Sequence, residues 1–298
     1  MEQKRCLCIA ENLNVMSKVL GPAMKERRKE PLQEMAKAEA EQGVDYIDLN
    51  IGPSRKDGTE IMPFVVQAVQ EVVKLPISLD TTNGDAIEAG LKAAKPGTAL
   101  INSVTLQPAR MERVFPLAPK YNADIIVVLW GPEGMPRDDN ERAMFAAEAM
   151  VKAGELGLGN ERLWIDPIAS PVSVEINQVK ACVSFMQMLP DLVPGCKSTV
   201  GLSNVSNGAP DNLRGWLNRS YLIMLMRYGL YSAIVDAFDE DLIAIAHGGK
   251  QDIVQLTYDV MDGKSVSAGS LTEEQLKYYR TAKVLVGETL YSASWLEG

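Results

Sequence analysis

Six short apolar runs end on an acid or an amide: DYIDLN (45–50), ISLD (77–80), ALIN (99–102), LWID (163–166), VGLSN (200–204) and AIVD (233–236). Runs of this length, set between helix-like segments, read as parallel strands buried on both faces. A polar side chain at the carboxyl end of such a strand stands at the mouth of a sheet or barrel, where α/β proteins gather their binding groups. A single strand-end Asp is as readily a helix cap. Six strand ends together, carrying Asp48 with Asn50, Asp80, Asn102, Asp166, Asn204 and Asp236, describe a ring of donors and acceptors around one ligand.

Working outward, strand signals at 6–12, 46–51, 77–82, 99–105, 124–130, 163–169, 198–206 and 232–238 alternate with helical sequence. The helical stretches lie at 31–42, 59–73, 84–94, 108–119, 139–156, 173–188 and 211–228, and Gly43 is the expected stop for the first. Eight β–α units predict the α/β class and a (β/α)8 TIM barrel. No G-x-G-x-x-G or G-x-x-x-x-G-K run argues for a doubly wound sheet instead. Beyond strand eight, 249–270 reads as a polar connection containing DGKSVSAGS, and 271–291 as an amphipathic helix capped by Thr272. The expected organisation is one domain over 1–298, with 249–298 a C-terminal helical elaboration.

With 298 residues and 46% hydrophobic content, the chain can bury a large core. Its net charge of −9 argues against a nucleic-acid partner. The apolar stretches fall far short of the roughly 20 residues a membrane span requires. No secretory signal opens the chain, so a soluble, cytoplasmic protein is expected. Cys6, Cys8, Cys182 and Cys196 form no Cys-x-x-Cys pair, and His247, the only histidine, has no Cys near it in sequence. That spacing predicts buried reduced thiols and no bound metal, and disfavours Ser-His-Asp or Cys-His chemistry. His247, followed by two glycines, is expected at a helix end.

Carboxylates accept hydrogen bonds and amides both donate and accept. Together they suit a flat, uncharged heterocycle bearing an amino group, ring NH groups and a carbonyl. The only lysine near a strand end is Lys197, before strand seven, so a Schiff base has little support. Glu11 stands alone, which disfavours a glycosidase pair. In GLSNVSNGAP (201–210), small residues around Asn204 allow ligand and backbone to approach closely. Arg219, beside Asn218 in the helix that follows, either reaches an anionic tail or serves as a surface ion-pair partner.

DYIDLNIGP, ISLDTTN with AIEAGLKAAK, ALINSVT, LWIDPI, GLSNVSNG with LNRSYL, and AIVDAFDEDLI together resemble, in order, the pterin-binding methyltetrahydrofolate:corrinoid-protein methyltransferases. That family is related to dihydropteroate synthase and to the folate domain of cobalamin-dependent methionine synthase. The resemblance implies a pterin-binding TIM barrel in which Asp80, Asn102 and Asp166 hold the pterin edge. It makes Asn204 the amide at the nitrogen that carries the methyl group, with Asn207 a further polar contact of open role. It implies methyl transfer between methyltetrahydrofolate and the cobalt of a cobalamin-type corrinoid on a partner protein, in a direction the sequence leaves undetermined. A water held by Asp80 and Asn102 is a candidate proton carrier, placing Asp80 with Asn204 in the catalytic set.

The alternatives are a dihydropteroate synthase-like enzyme or a non-catalytic folate-binding protein. Strands seven and eight read SNVS and AIVDAF, where dihydropteroate synthases carry a lysine with a Ser-Arg-Lys-type motif and an Arg-Val-His. A transient encounter with the corrinoid protein and a homodimer are expected. The docking rim expected from the sequence is the loop GPEGMPRDD, with Met135 and Arg137, together with 207–212.

Overall fold

The computed structural model describes residues 5–297. Its eight parallel strands are β1 (Leu7–Ala10), β2 (Tyr46–Asn50), β3 (Ile77–Asp80), β4 (Ala99–Thr105), β5 (Asp124–Val128), β6 (Leu163–Asp166), β7 (Lys197–Ser198) and β8 (Ser232–Val235). They are hydrogen-bonded in the order β7-β6-β5-β4-β3-β2-β1-β8. A parallel bridge between Gly201 and Ile234 brings β7 against β8, so the sheet closes into a TIM barrel.

Helices cover the outside in sequence order: α1 (Leu20–Lys25), α2 (Glu30–Glu41), α3 (Gly58–Gln70), α4 (Gly84–Ala93), α5 (Pro108–Val114), α6 (Leu117–Tyr121), α7 (Asp139–Glu155), α8 (Ile176–Leu192) and α9 (Asp211–Met226). After β8 come α10 (Glu240–Ala246), α11 (Gln251–Met261) and α12 (Glu273–Leu285).

The period-two alternation of strand side chains decides what lines the barrel. Ile9, Leu100, Ile126 and Trp164 meet inside it, packed by Tyr46, Val128 and Ile234. The other face of each strand packs against the helices. Trp164 fills the lower interior, edge-on to Tyr46 and Tyr231 at centroid separations of 5.5 and 5.1 Å. Its indole N–H donates to Asp124 at 2.9 Å, and Lys197 Nζ donates to the same carboxylate at 2.7 Å. Lys197 therefore belongs to the barrel floor. Two residues further along, the inward positions after Ile9, Tyr46, Leu100, Trp164 and Ile234 are Glu11, Asp48 and then Asn50, Asn102, Asp166 and Asp236, while β5 keeps the apolar Val128. The interior runs from a floor closed by the Asp124–Lys197 pair, through an apolar layer, to a polar mouth.

Sequence-based boundaries move in several places, and the larger departures are local. The expected strand at 198–206 is only Lys197–Ser198, followed by a 3-10 turn at Leu202–Ser206 that buries Leu202 and Val205. The expected helix at 108–119 splits into α5 and α6 around Pro116, which has no N–H to continue the ladder. Helix α1 lies in a segment that carried no assignment. The polar connection expected at 249–270 contains α11, which buries Ile253, Val254, Leu256 and Val260, and only its second half is loop.

Three local expectations hold. Thr272 caps α12 in a reciprocal capping box with Gln275, an arrangement worth about 1 kcal/mol. His247 ends α10. Gly43 has the left-handed φ of +80° that a helix stop requires. Trp216 meets Tyr278 edge-on at 5.1 Å, docking α12 on α9. No described helix is long and apolar enough to cross a membrane.

Candidate active site

The register of the sheet puts three polar side chains in one row, with Asn50 beside Asp80 and Asp80 beside Asn102. Asn50 Nδ2 donates to Asp80, so the amide of one strand orients the acid of the next. Below them, Asp48 is buried and accepts from Asn102 Nδ2 at 3.1 Å. Burial drives the Asp48 carboxyl well above its ordinary range, and the neighbouring Asp80 charge pushes it the same way. Asp80 itself rises to about 6, again through burial, opposed by hydrogen bonds from Asp48 and Asn50 and by the charge of Arg110. Of the two, the more deeply buried Asp48 holds its proton more tightly than Asp80 above it. Arg110, from α5, is held by the carbonyls of Thr81, Thr82 and Ser103.

Across the mouth, β6 ends in Asp166. The next peptides turn sharply, with Ile168 at φ +67°, an uncommon conformation for a β-branched residue. This turn brings the Ile168 N–H back to Asp166 Oδ1 at 2.8 Å. Burial raises Asp166 to about 7, opposed by that N–H and by the Arg142 charge behind it. Arg142 is completely buried, donating to the Pro167 carbonyl and to Gln178 at 2.8 Å each. Its position fixes the DPI turn from below.

Asn204 rides on the 3-10 turn after β7 and is exposed above the mouth. A Cβ at Gly201 would lie 3.0 Å from Asn204 Nδ2, so the glycine leaves the amide room to turn. Asn207 donates to Asn204 Oδ1 at 3.3 Å. On the opposite side Ser203 Oγ donates to Glu11 at 3.1 Å, tying this turn to the end of β1. Burial raises Glu11 to about 7, with Ser203 and Arg214 opposing and Asp236 and Asp48 reinforcing.

Asp80, Asn102, Asp166, Asn204 and Asn207 thus lie at the carboxyl end of the barrel. Arg219 does not join them as a free cation. Its guanidinium is taken by Asp239 at 2.7 Å and Asp241 at 2.8 Å, which is the ion-pair alternative. Asp236 is also spoken for, accepting from Asn12 Nδ2 and from the Phe238 N–H in a local turn. In the LDTTN segment only Asp80 faces the site, because Asn83 caps α4.

Sequence reasoning passed over Glu11, Ser203 and Arg110. The alternation from Ile9 would have pointed Glu11 inward, whereas nothing local marks Ser203 or Arg110. Met135 also departs from expectation. It is half-buried and its sulfur accepts from Ser170 Oγ at 3.4 Å, so it is no exposed rim contact. Among the described residues, no trio of potential metal ligands converges at this mouth.

The pterin-binding enzyme family matches residues 17–236, about three quarters of the chain. The chain belongs to this family of pterin-binding enzymes. Among curated relatives it is 25% identical over 240 residues to the methylcorrinoid:tetrahydrofolate methyltransferase of Eubacterium limosum, covering 80% of this chain and 87% of that protein. It is 26% identical over 243 residues to the methionine synthase of Mycobacterium tuberculosis, covering 78% of this chain but 20% of that much longer protein. Among solved structures, dihydropteroate synthase from Vibrio fischeri superposes with a TM-score of 0.64 at 16% identity, covering 90% of this chain and 96% of that one. The Thermus thermophilus dihydropteroate synthase gives 0.59 at 21%, with 83% and 93% covered. These structural likenesses bear on the fold of this pterin-binding enzyme alone.

Proposed function

We propose that this pterin-binding enzyme moves a methyl group between methyltetrahydrofolate and the cobalt of a corrinoid carried by a partner protein. The observation that carries the reading is the polar tier at the barrel mouth, where Asp80, Asn102 and Asp166 face inward beneath the exposed amide of Asn204. A pterin edge offers adjacent N–H donors and a carbonyl. An ionised Asp166 accepts the donors as a pair, and Asn102 and Asp80 satisfy the remaining ring atoms. The likeness to a methylcorrinoid:tetrahydrofolate methyltransferase supports the same assignment.

A tertiary amine releases its methyl group only when the departing electron pair is stabilised. Asn204 accepts a hydrogen bond from that nitrogen once it is protonated, without burying a charge. A contact made mainly in the transition state raises the rate more than the affinity. Glu11 at about 7 and Asp80 at about 6 are protonatable groups at the mouth, suited to deliver the proton through a bound water. The corrinoid, when the partner brings it, supplies the methyl acceptor or donor.

The partner must leave after each transfer, so a small, partly apolar encounter surface is expected. The loops around the mouth offer one. Met16 is 85% exposed, Val19 60%, Phe238 45% and Trp130 40%, and all follow the carboxyl ends of strands. This rim stands beside Arg137, whose side chain is 86% exposed, and the exposed 207–212 segment, and takes over only the part first given to the half-buried Met135. The test is to mix the protein with methyltetrahydrofolate and cobalt(I) cobalamin and to follow the cobalt(I) absorbance. Enzyme-dependent decay supports the reading. Tight folate binding without decay, from either direction, leaves a binding protein instead.

A further inference from the structure

We propose that the closed end of the barrel carries a zinc site made by Cys8 Sγ, Asp45 and His247 Nε2. The three come from β1, from the residue preceding β2 and from the end of α10. One ligand atom from each lies within 4.8 Å of the other two, the only such group among the described residues. The His247 Nε2 to Asp45 Oδ2 separation is 3.8 Å. Tetrahedral zinc with bonds of 2.0–2.3 Å holds its ligand atoms about 3.3–3.6 Å apart, so small side-chain shifts complete the geometry. A thiolate, an imidazole and one carboxylate form a borderline-soft donor set that selects zinc over magnesium or calcium.

A second observation points to the same spot. Arg5 already places a cation there, with one guanidinium nitrogen 2.6 Å from Asp45 Oδ1 and 3.2 Å from His247 Nε2. Arginine can only donate, so His247 Nε2 must be the accepting, unprotonated nitrogen, with its lone pair aimed into the cluster. Cys8 is completely buried behind them, and its backbone N–H donates to Asp45 Oδ2 at 2.9 Å, which orients the carboxylate. Arg5 is half exposed, and such an ion pair is readily displaced.

No spacing motif marks this set, because the ligands lie far apart along the chain and only the fold brings them together. Zinc there would tie the start of β1, the α2–β2 loop and the end of α10 into one clamp, on the face opposite the mouth.

The test uses the full chain, reduced and stripped of metal, titrated with zinc chloride against a chromophoric chelator. One equivalent is expected to bind. His247→Ala, at a partly exposed position, and Cys8→Ser should each weaken binding by roughly tenfold or more. Arg5→Met should strengthen it, since the competing cation is gone. Cobalt(II) in place of zinc should give a near-ultraviolet thiolate charge-transfer band that vanishes in Cys8→Ser. Absence of stoichiometric binding, or binding and a cobalt band that survive both His247→Ala and Cys8→Ser, would overturn the assignment.

Discussion

Asp166→Asn separates the charge of the central carboxylate from its shape. The asparagine oxygen still accepts from the Ile168 N–H, so the DPI turn is retained. What is lost is an acid that titrates at about 7. If the pterin edge binds only the ionised form, about a tenth of the wild-type sites are competent at pH 6 and about nine tenths at pH 8. This contribution weakens folate binding about tenfold, or about 1.4 kcal/mol, between those values. The variant should bind more weakly at pH 8 by about 1–3 kcal/mol, because ring donors lose their charged acceptor. It should also lack this part of the pH slope. Calorimetry with methyltetrahydrofolate at pH 6, 7 and 8, in two buffers of different ionisation enthalpy, counts the protons. Wild type should release about half a proton more than the variant at pH 7. Equal slopes and equal proton counts would show that Asp166 does not ionise against the ligand.

Glu39 is buried on α2, accepts from the Leu13 N–H at 2.9 Å and is raised by burial from 4.5 to about 8. The folded state holds this proton where the unfolded chain has released it, so stability falls as pH rises from about 5 to 8. Glu39→Gln should cancel a loss of about 3–4 kcal/mol over that window, read by urea unfolding, and a pH-independent difference would contradict it. Asn204→Ala should lower the turnover number more than the affinity, and single-turnover kinetics beside folate binding distinguishes this from a plain binding contact. Phe238→Asp should raise the Michaelis constant for the corrinoid protein with little change for free cobalamin. Equal damage to both would place Phe238 in the folate site.

Apolar runs spaced by helical sequence, each ending on an acid or amide, made the barrel and the polar mouth legible before the structure. The apolar layer beneath that mouth, and the face each side chain takes, came only with the structure. What stayed hidden depends on contacts between distant segments. Glu11 looked isolated because its partner Ser203 arrives from the other side of the barrel closure. Arg219 looked available because Asp239 and Asp241 follow it by a whole β-strand. Local signals were misread where two structures share one composition. The polar loop after α11 masked the helix before it, and the apolar residues at 198–206 serve a buried turn as well as they would a strand.

The most direct measurement follows the methyl group itself. Protein, cobalt(I) cobalamin and methyltetrahydrofolate carrying carbon-13 in its methyl group are mixed, and the label is tracked by carbon NMR. The account predicts that the resonance moves from the folate nitrogen to cobalt at a rate set by the enzyme, and that Asn204→Ala slows this transfer with folate still bound. A label that stays on folate in the presence of saturated, folded enzyme and fully reduced cobalamin would contradict it.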